Sequence, residues 1–225
     1  MDDEVLQEQI AYYRARAGEY DATSYGALRG EGDGSEEEPP HPDLVAALHA
    51  LQALGPVDRI LELACGTGVW TRHLSRIGRS VTALDAAPEM LDLNRQRLGN
   101  APVTYQCVDL FGWEPEQTYD LVFFAFWLSH VPPAALDRFL DKVRRAVRPG
   151  GRVFILDEPA GTSDELAATG PALYQPRALL DGREFTIVKV YYDPAAVAQK
   201  LAARGFTHIG GSTTDTFFYL HGTRG

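Results

Sequence analysis

Apolar residues recur along this chain in two alternating rhythms. Arg59-Ile-Leu-Glu-Leu63, Ser80–Leu84, Val103–Cys107, Tyr119–Phe126 and Arg152–Leu156 are short apolar or β-prone runs that predict five strands. Between them, Asp43–Leu54, the stretch from Gly68 to Ile77, Pro88–Leu98 and Pro133–Val147 predict helices. Pro88 and Pro133 stand at tolerated first-turn positions, and Pro149-Gly-Gly151 closes the last of these helices. Strands alternating with helices predict a parallel sheet covered on both faces.

After Asp157 the rhythm changes. Residues 158–183 read as a loop with some helix, punctuated by Pro159, Gly170, Pro171 and Pro176. Phe185–Tyr192 predicts a strand, and Asp193-Pro194 caps a helix that runs to Arg204 and stops at Gly205. Two last strands, near Thr207–Thr213 and Thr216–His221, lie too close for a crossover helix and are expected to be antiparallel. At the other end, Glu4–Tyr25 has helical spacing, with Ile10, Tyr13, Ala17 and Tyr20 on one stripe. The Gly-, Glu- and Pro-rich run from Arg29 to Pro42 has no apolar face and reads as a mobile loop. Residues 1–42 are therefore expected to form a helical lid with an acidic loop, and residues 43–225 the sheet domain.

Composition narrows the function classes. The chain has 225 residues, 45% hydrophobic and 23% charged, enough to bury the core of one domain. Its net charge of −10 is mostly N-terminal: residues 1–42 hold 11 acidic and 3 basic side chains, the remainder 20 and 18. No Lys/Arg cluster is present to track a phosphate backbone, so nucleic acid is not expected as a partner. The longest apolar run, Leu121–Leu128, is too short to span a bilayer. The acidic start Met1-Asp2-Asp3-Glu4 does not resemble a signal peptide, and two cysteines fit a reducing compartment. A cytoplasmic protein with a small-molecule partner is expected.

The candidate chemistry begins at Glu62-Leu-Ala-Cys-Gly-Thr-Gly68, where a strand ends and a helix begins. Gly66 and Gly68 let a ligand approach the backbone at a helix N-terminus. Alone, this element is compatible with a tight turn that holds no ligand, or with a dinucleotide fingerprint whose third glycine is replaced by Thr71. Asp85 ends the second strand, where a carboxylate accepts ribose hydroxyls, a feature shared with NAD proteins. Glu62 inside the first strand and Asp109 after the third complete an ordered acidic trio.

With Tyr119-Asp120-Leu-Val-Phe-Phe124, Arg148-Pro-Gly-Gly-Arg152 and the terminal hairpin added, the sequence resembles the class I S-adenosylmethionine-dependent methyltransferases, specifically their small-molecule members. The resemblance runs from Tyr12-Tyr13-x-x-x-Ala17-x-x-Tyr20-Asp21 to Phe217-Phe-Tyr-Leu-His-Gly222; the family's usual glycine is Ala64 here. It implies a Rossmann-like seven-stranded α/β sheet, mostly parallel with a C-terminal antiparallel hairpin, helices on both faces and an N-terminal helical lid. It also implies S-adenosylmethionine as cofactor, bound by the strand residue Glu62 and the loop Ala64, Cys65, Gly66, Thr67 and Gly68 around the methionine part. Asp85 would hold the ribose, Ala86 and Met90 the adenine face, Asp109 and Leu110 the adenine edge. Ala125 and Phe126 would lie beside the sulfonium, with Tyr13 and Tyr20 closing over the cofactor and reaching its carboxylate; for Tyr20, packing on the sheet edge is the alternative.

His130, in Trp127-Leu-Ser-His130-Val-Pro-Pro133, follows the fourth strand at the sheet edge where α/β proteins bind ligands. It is read either as catalytic base or substrate contact, or as a residue shaping the turn into Pro132. Trp127, Asp157, Tyr174 and Tyr191 are further candidates to contact substrate, against ordinary core packing for the aromatics. His41 falls in the acidic loop, His49 and His73 read as helix-surface positions, and His208 and His221 belong to the terminal hairpin. Cys65 and Cys107 end strands two spacings apart and form neither a disulfide nor a metal pair; no metal is expected. The Asn/Asp-Pro-Pro-Tyr/Phe motif of DNA-modifying members is absent, Ala125-Phe-Trp-Leu standing there. The expected reaction is methyl transfer to oxygen or nitrogen of a small aromatic or heteroaromatic metabolite; a nucleotide- or NAD-binding protein without methyl transfer is the alternative.

Overall fold

The computed structural model describes residues 3–25, 42–159 and 173–225. The predicted loop over residues 29–41, with His41, and residues 160–172 of the predicted 158–183 loop lie outside these described residues. Five strands, β1 (Val57–Leu63), β2 (Gly78–Asp85), β3 (Val103–Cys107), β4 (Tyr119–Ala125) and β5 (Val147–Asp157), pair in parallel. The C-terminal strands β8 (Phe206–Thr213) and β9 (Phe218–Arg224) pair antiparallel with each other, and β9 antiparallel with β5. The seven-stranded order is β3-β2-β1-β4-β5-β9-β8, the mostly parallel sheet with a terminal hairpin that the alternation predicts.

Strand alternation divides the core between the two faces. Leu121 and Phe123 of β4 point to one side with Ile60, Phe154 and Leu156, against α2 (Pro42–Gln52) and α3 (Val69–Ile77). Val122 and Phe124 point to the other with Leu61, Leu63 and Ile155, against α5 (Pro133–Ala146) and α6 (Pro194–Ala202). Because both faces are covered, β4 is apolar almost throughout. Between β2 and β3, α4 (Pro88–Leu98) places Asn94 fully inside, bonded to Thr71 at 2.8 Å and to the Tyr105 hydroxyl at 3.0 Å.

Three elements depart from the sequence expectation. β6 (Tyr174–Ala178) is a strand, paired antiparallel with β7 (Glu184–Val188) in a separate two-stranded sheet. Pro176 hides it in the sequence, since proline is compatible with a strand only at an edge. β7 is also shorter than the expected Phe185–Tyr192: after Val188 the chain turns toward the main sheet, Val190 donating to the Ser129 carbonyl at 2.8 Å. The N-terminal segment is α-helical only over α1 (Asp3–Arg16), then tightens and widens through Ala17–Glu19 and Asp21–Tyr25. α1 lies on β7. Glu8 accepts the Thr186 amide at 2.7 Å and Gln9 the Val188 amide at 3.0 Å, so side chains of α1 satisfy the donors of an otherwise unpaired strand edge.

Candidate active site

The strand order reverses between β1 and β4, and the crevice at their C-terminal ends is where an open α/β sheet receives a ligand. The backbone there departs from ordinary geometry at Ala64 (φ 53°), Gly66 (φ 52°) and Gly68 (φ 90°), and at Phe126 (φ 55°) just past β4. The two glycines have different reasons. A Cβ on Gly66 would meet nothing within 4 Å, so the space on its side-chain side is open; a Cβ on Gly68 would sit 2.6 Å from Asn94, so Gly68 permits α3 to pack on α4.

One cavity runs along this crevice. Asp85, Ala86, Met90, Asp109 and Leu110 wall one end, Ala64, Gly66, Ala125 and Phe126 the other, and Tyr13 and Tyr20 roof it from the N-terminal segment. The Asp85 carboxylate accepts the Gly66 and Ala87 amides, both at 2.9 Å, and burial raises its pKa. Asp109 accepts the Phe111 amide at 2.9 Å. A smaller recess beside Gly66 contains Glu62, Cys65, Thr67 and Trp70. Glu62 is 2% exposed, one of its carboxylate oxygens has no hydrogen-bond partner, and burial pushes its pKa up to about 8. A buried carboxylate with an unsatisfied oxygen calls for a cation or donor in the adjoining space.

The second cavity, about 540 Å³, shares Tyr13, Tyr20, Phe126 and His130 with the first. His130 is 6% exposed, and both ring nitrogens are engaged. Nδ1 lies 2.8 Å from the Val188 carbonyl, which only accepts, so Nδ1 carries the proton. Nε2, 2.7 Å from the Tyr13 hydroxyl, is then the acceptor of that hydroxyl's hydrogen bond. Burial, followed by the charge of Lys189, brings the His130 pKa down to about 3, while burial holds the Tyr13 phenol well above its usual value. Of the two readings of His130, base or substrate contact against a residue shaping the turn, the structure shows it lining both cavities with each ring nitrogen already paired. It is a neutral imidazole of fixed tautomer that orients Tyr13, and a proton placed on it would be strongly disfavoured.

The other substrate candidates separate. Tyr191 lines the second cavity, but Trp127 lines the first, packed on Phe111. Asp157 lines neither cavity: it is buried, accepts the Ser129 and Glu158 amides, and fixes the turn that carries His130. Tyr174 stands at the start of β6, exposed, away from both cavities. Gly68 packs behind the loop, as described. Cys65 and Cys107 are free thiols, the first buried and the second exposed. His73, expected on a helix surface, is half-buried against Trp70 with its pKa lowered to about 4, chiefly by burial.

Sequence reasoning missed the residues that close the site. Gln9 and Ile10 line the first cavity, and Arg16, Arg177 and Lys189 the second. Asp21 bonds the Thr67 hydroxyl at 2.6 Å and forms an ion pair with Arg97, which also donates to the Thr67 carbonyl at 2.6 Å. That triangle ties the N-terminal segment to the glycine loop. The only sequence signal for it was the Tyr-Asp pair at Tyr20-Asp21.

Known proteins resemble this chain in both sequence and shape. A family described as "Methyltransferase domain" matches residues 60–151. A solved structure of DhpI with S-adenosylhomocysteine is 37% identical, with 100% of this chain and 99% of that one covered and a TM-score of 0.83. A DhpI complex with SAM and HEP is 38% identical, covers 98% of each chain and has a TM-score of 0.81. The malonyl-[acyl-carrier protein] O-methyltransferase of Serratia marcescens is 36% identical over 115 residues, 49% of this chain and 42% of that protein. The chain spans less than half the length of the curated relatives it matches.

Proposed function

This chain belongs to the S-adenosylmethionine-dependent methyltransferases, and from that premise we propose that it moves the donor's methyl to an oxygen or nitrogen of a small molecule seated in the cavity beside His130. One observation carries this reading: the two cavities share the wall formed by Tyr13, Tyr20, Phe126 and His130. A donor bound along the first therefore presents its reactive end to an acceptor in the second.

The residues fit the donor. The unsatisfied oxygen of Glu62 suits an α-ammonium, and the open space at Gly66 admits the amino-acid backbone. Asp85, already oriented by two amides, faces the ribose position, and Asp109 and Leu110 the adenine edge. The sulfonium supplies a methyl that is already activated. The chain's part is to align the acceptor lone pair with the methyl and sulfur and to exclude water, which Tyr13, Tyr20 and α1 do as a roof. The dinucleotide alternative loses its support, because Thr71 is committed to Asn94 where that fingerprint has its third glycine. Among the described residues no helix is long and apolar enough to cross a membrane, and no group of His, Cys, Asp and Glu suits a metal ion.

Calorimetry tests the reading. S-Adenosylmethionine and S-adenosylhomocysteine should each bind one-to-one and NAD should not, and Asp85→Ala should weaken binding by about 1–3 kcal/mol through lost charge-assisted hydrogen bonds. Binding of NAD in preference, or an unchanged dissociation constant in the variant, contradicts it.

A further inference from the structure

Three cationic side chains from separate stretches of chain meet in the second cavity: Arg16 at the end of α1, Arg177 on β6 and Lys189 just past β7. They are built into the wall. Lys189 is 9% exposed and is held by Glu158 at 2.5 Å and the Ser129 hydroxyl at 3.2 Å. Arg16 lies over the Tyr20 ring, 5.0 Å from its centroid, and donates to Thr23 and Ser24 at 2.9 and 2.8 Å. Arg177 is fixed by Gln175 at 2.9 Å. All three disfavour the protonated form of His130, so their fields overlap at the residue both cavities share. Of the two carboxylates among the described residues of the wall, Glu158 pairs with Lys189 and Glu19 accepts the Leu180 amide at 3.1 Å. A positive cavity in a chain of net charge −10 runs against the sign of the whole molecule.

We propose that the acceptor is a small organic oxyanion, held by Arg16, Arg177 and Lys189 and methylated on one of its ionised oxygens, an inference that rests on the donor site described above. An ionised oxygen brings its own lone pair and needs no base, which suits a site whose histidine has both nitrogens engaged. In the step, the oxygen lone pair forms the new O–CH₃ bond as the S–CH₃ bond breaks. The electron pair of the broken bond stays on sulfur, which becomes a neutral thioether. The acceptor loses one negative charge and no proton changes hands. The ester product is then held less strongly by the same cations, which favours its release. Carboxylate and phosphoryl oxygens share this chemistry, and a guanidinium fork fits either.

The test is calorimetry on the protein saturated with S-adenosylhomocysteine, titrated with propionate, methylphosphonate and, as a neutral aromatic, phenol. At least one oxyanion should bind, the first two arms separating carboxylate from phosphoryl, and phenol should not. Arg177→Gln and Lys189→Gln should each weaken anion binding about ten- to a hundredfold while S-adenosylhomocysteine affinity stays within about twofold, which also reports that the variants fold. Lys200→Gln, paired with Asp137 on the surface, should change neither. With methyl-labelled donor, the label should appear as an ester of the anion that binds. Binding of phenol in place of the oxyanions, or anion binding unchanged in both cavity variants, overturns the proposal and leaves the donor site standing. Failure of S-adenosylhomocysteine itself to bind overturns both.

Discussion

Glu62 is a buried carboxyl with one unpartnered oxygen, and its titration offers a test of the proposed donor placement. Its carboxyl pKa is raised from 4.5 to about 8 because burial penalises the charge. The neutral form is favoured in the fold, so its contribution to stability is complete below pH 4.5 and is lost as the pH rises through 8. Glu62→Gln should therefore melt like the wild type near pH 4 and above it near pH 8, by up to about 4 kcal/mol in linkage terms. A donor ammonium beside Glu62 would favour the carboxylate, so donor binding near pH 7 should release close to one proton. Titration in buffers of different ionisation enthalpy checks this; a buffer-independent enthalpy contradicts the placement. His130 carries a parallel lesson. Its position at the sheet edge was legible in the sequence, but its tautomer depends on Val188 and Tyr13, 58 and 117 residues away along the chain, and no local pattern encodes that.

The glycine loop and the N-terminal segment carry the next scale. Gly66→Ala adds a methyl to open space at φ 52°, and should cost only about 1–2 kcal/mol of stability while obstructing donor binding. Gly68→Ala drives a methyl into Asn94 at φ 90°, and should cost about 2–4 kcal/mol. Thermal melts with calorimetry separate the two, and equal effects would mean that both glycines serve one purpose. The Asp21–Thr67–Arg97 triangle is expected to make the N-terminal segment a lid coupled to donor binding. S-Adenosylhomocysteine should slow amide exchange over residues 3–25, and Asp21→Ala should remove most of that slowing. Equal exchange with and without ligand counts against the lid. Strands and helices repeated with clear periods were readable from residues 43–157, because burial on both faces of a sheet leaves strong apolar runs. β6 was not, since it is an edge strand broken by Pro176 whose partner is supplied by β7.

Across the molecule, the site is assembled from segments far apart in sequence. β1, β2 and β4 bring Glu62, Asp85 and Phe126 to one edge of the sheet; α1, β6 and the stretch after β7 bring Tyr13, Arg177 and Lys189 over it. The first group lies within the ordered strand–loop–helix pattern, so its meeting at one edge of the sheet could be anticipated. The second converges only through tertiary packing of α1 on β7, and the sequence held no sign that its cations would meet. The aromatics near this edge could be read as a pocket wall for a flat acceptor or as core packing, whereas the wall of the second cavity combines aromatic rings with three positive charges. The central claim is that the donor lies along the first cavity with its sulfur at the wall shared with the second. A crystal structure with S-adenosylhomocysteine tests it most directly. The account predicts the ammonium on Glu62, the ribose hydroxyls on Asp85 and the sulfur beside Phe126 and Tyr13; a ligand bound with its sulfur turned away from that wall would contradict it.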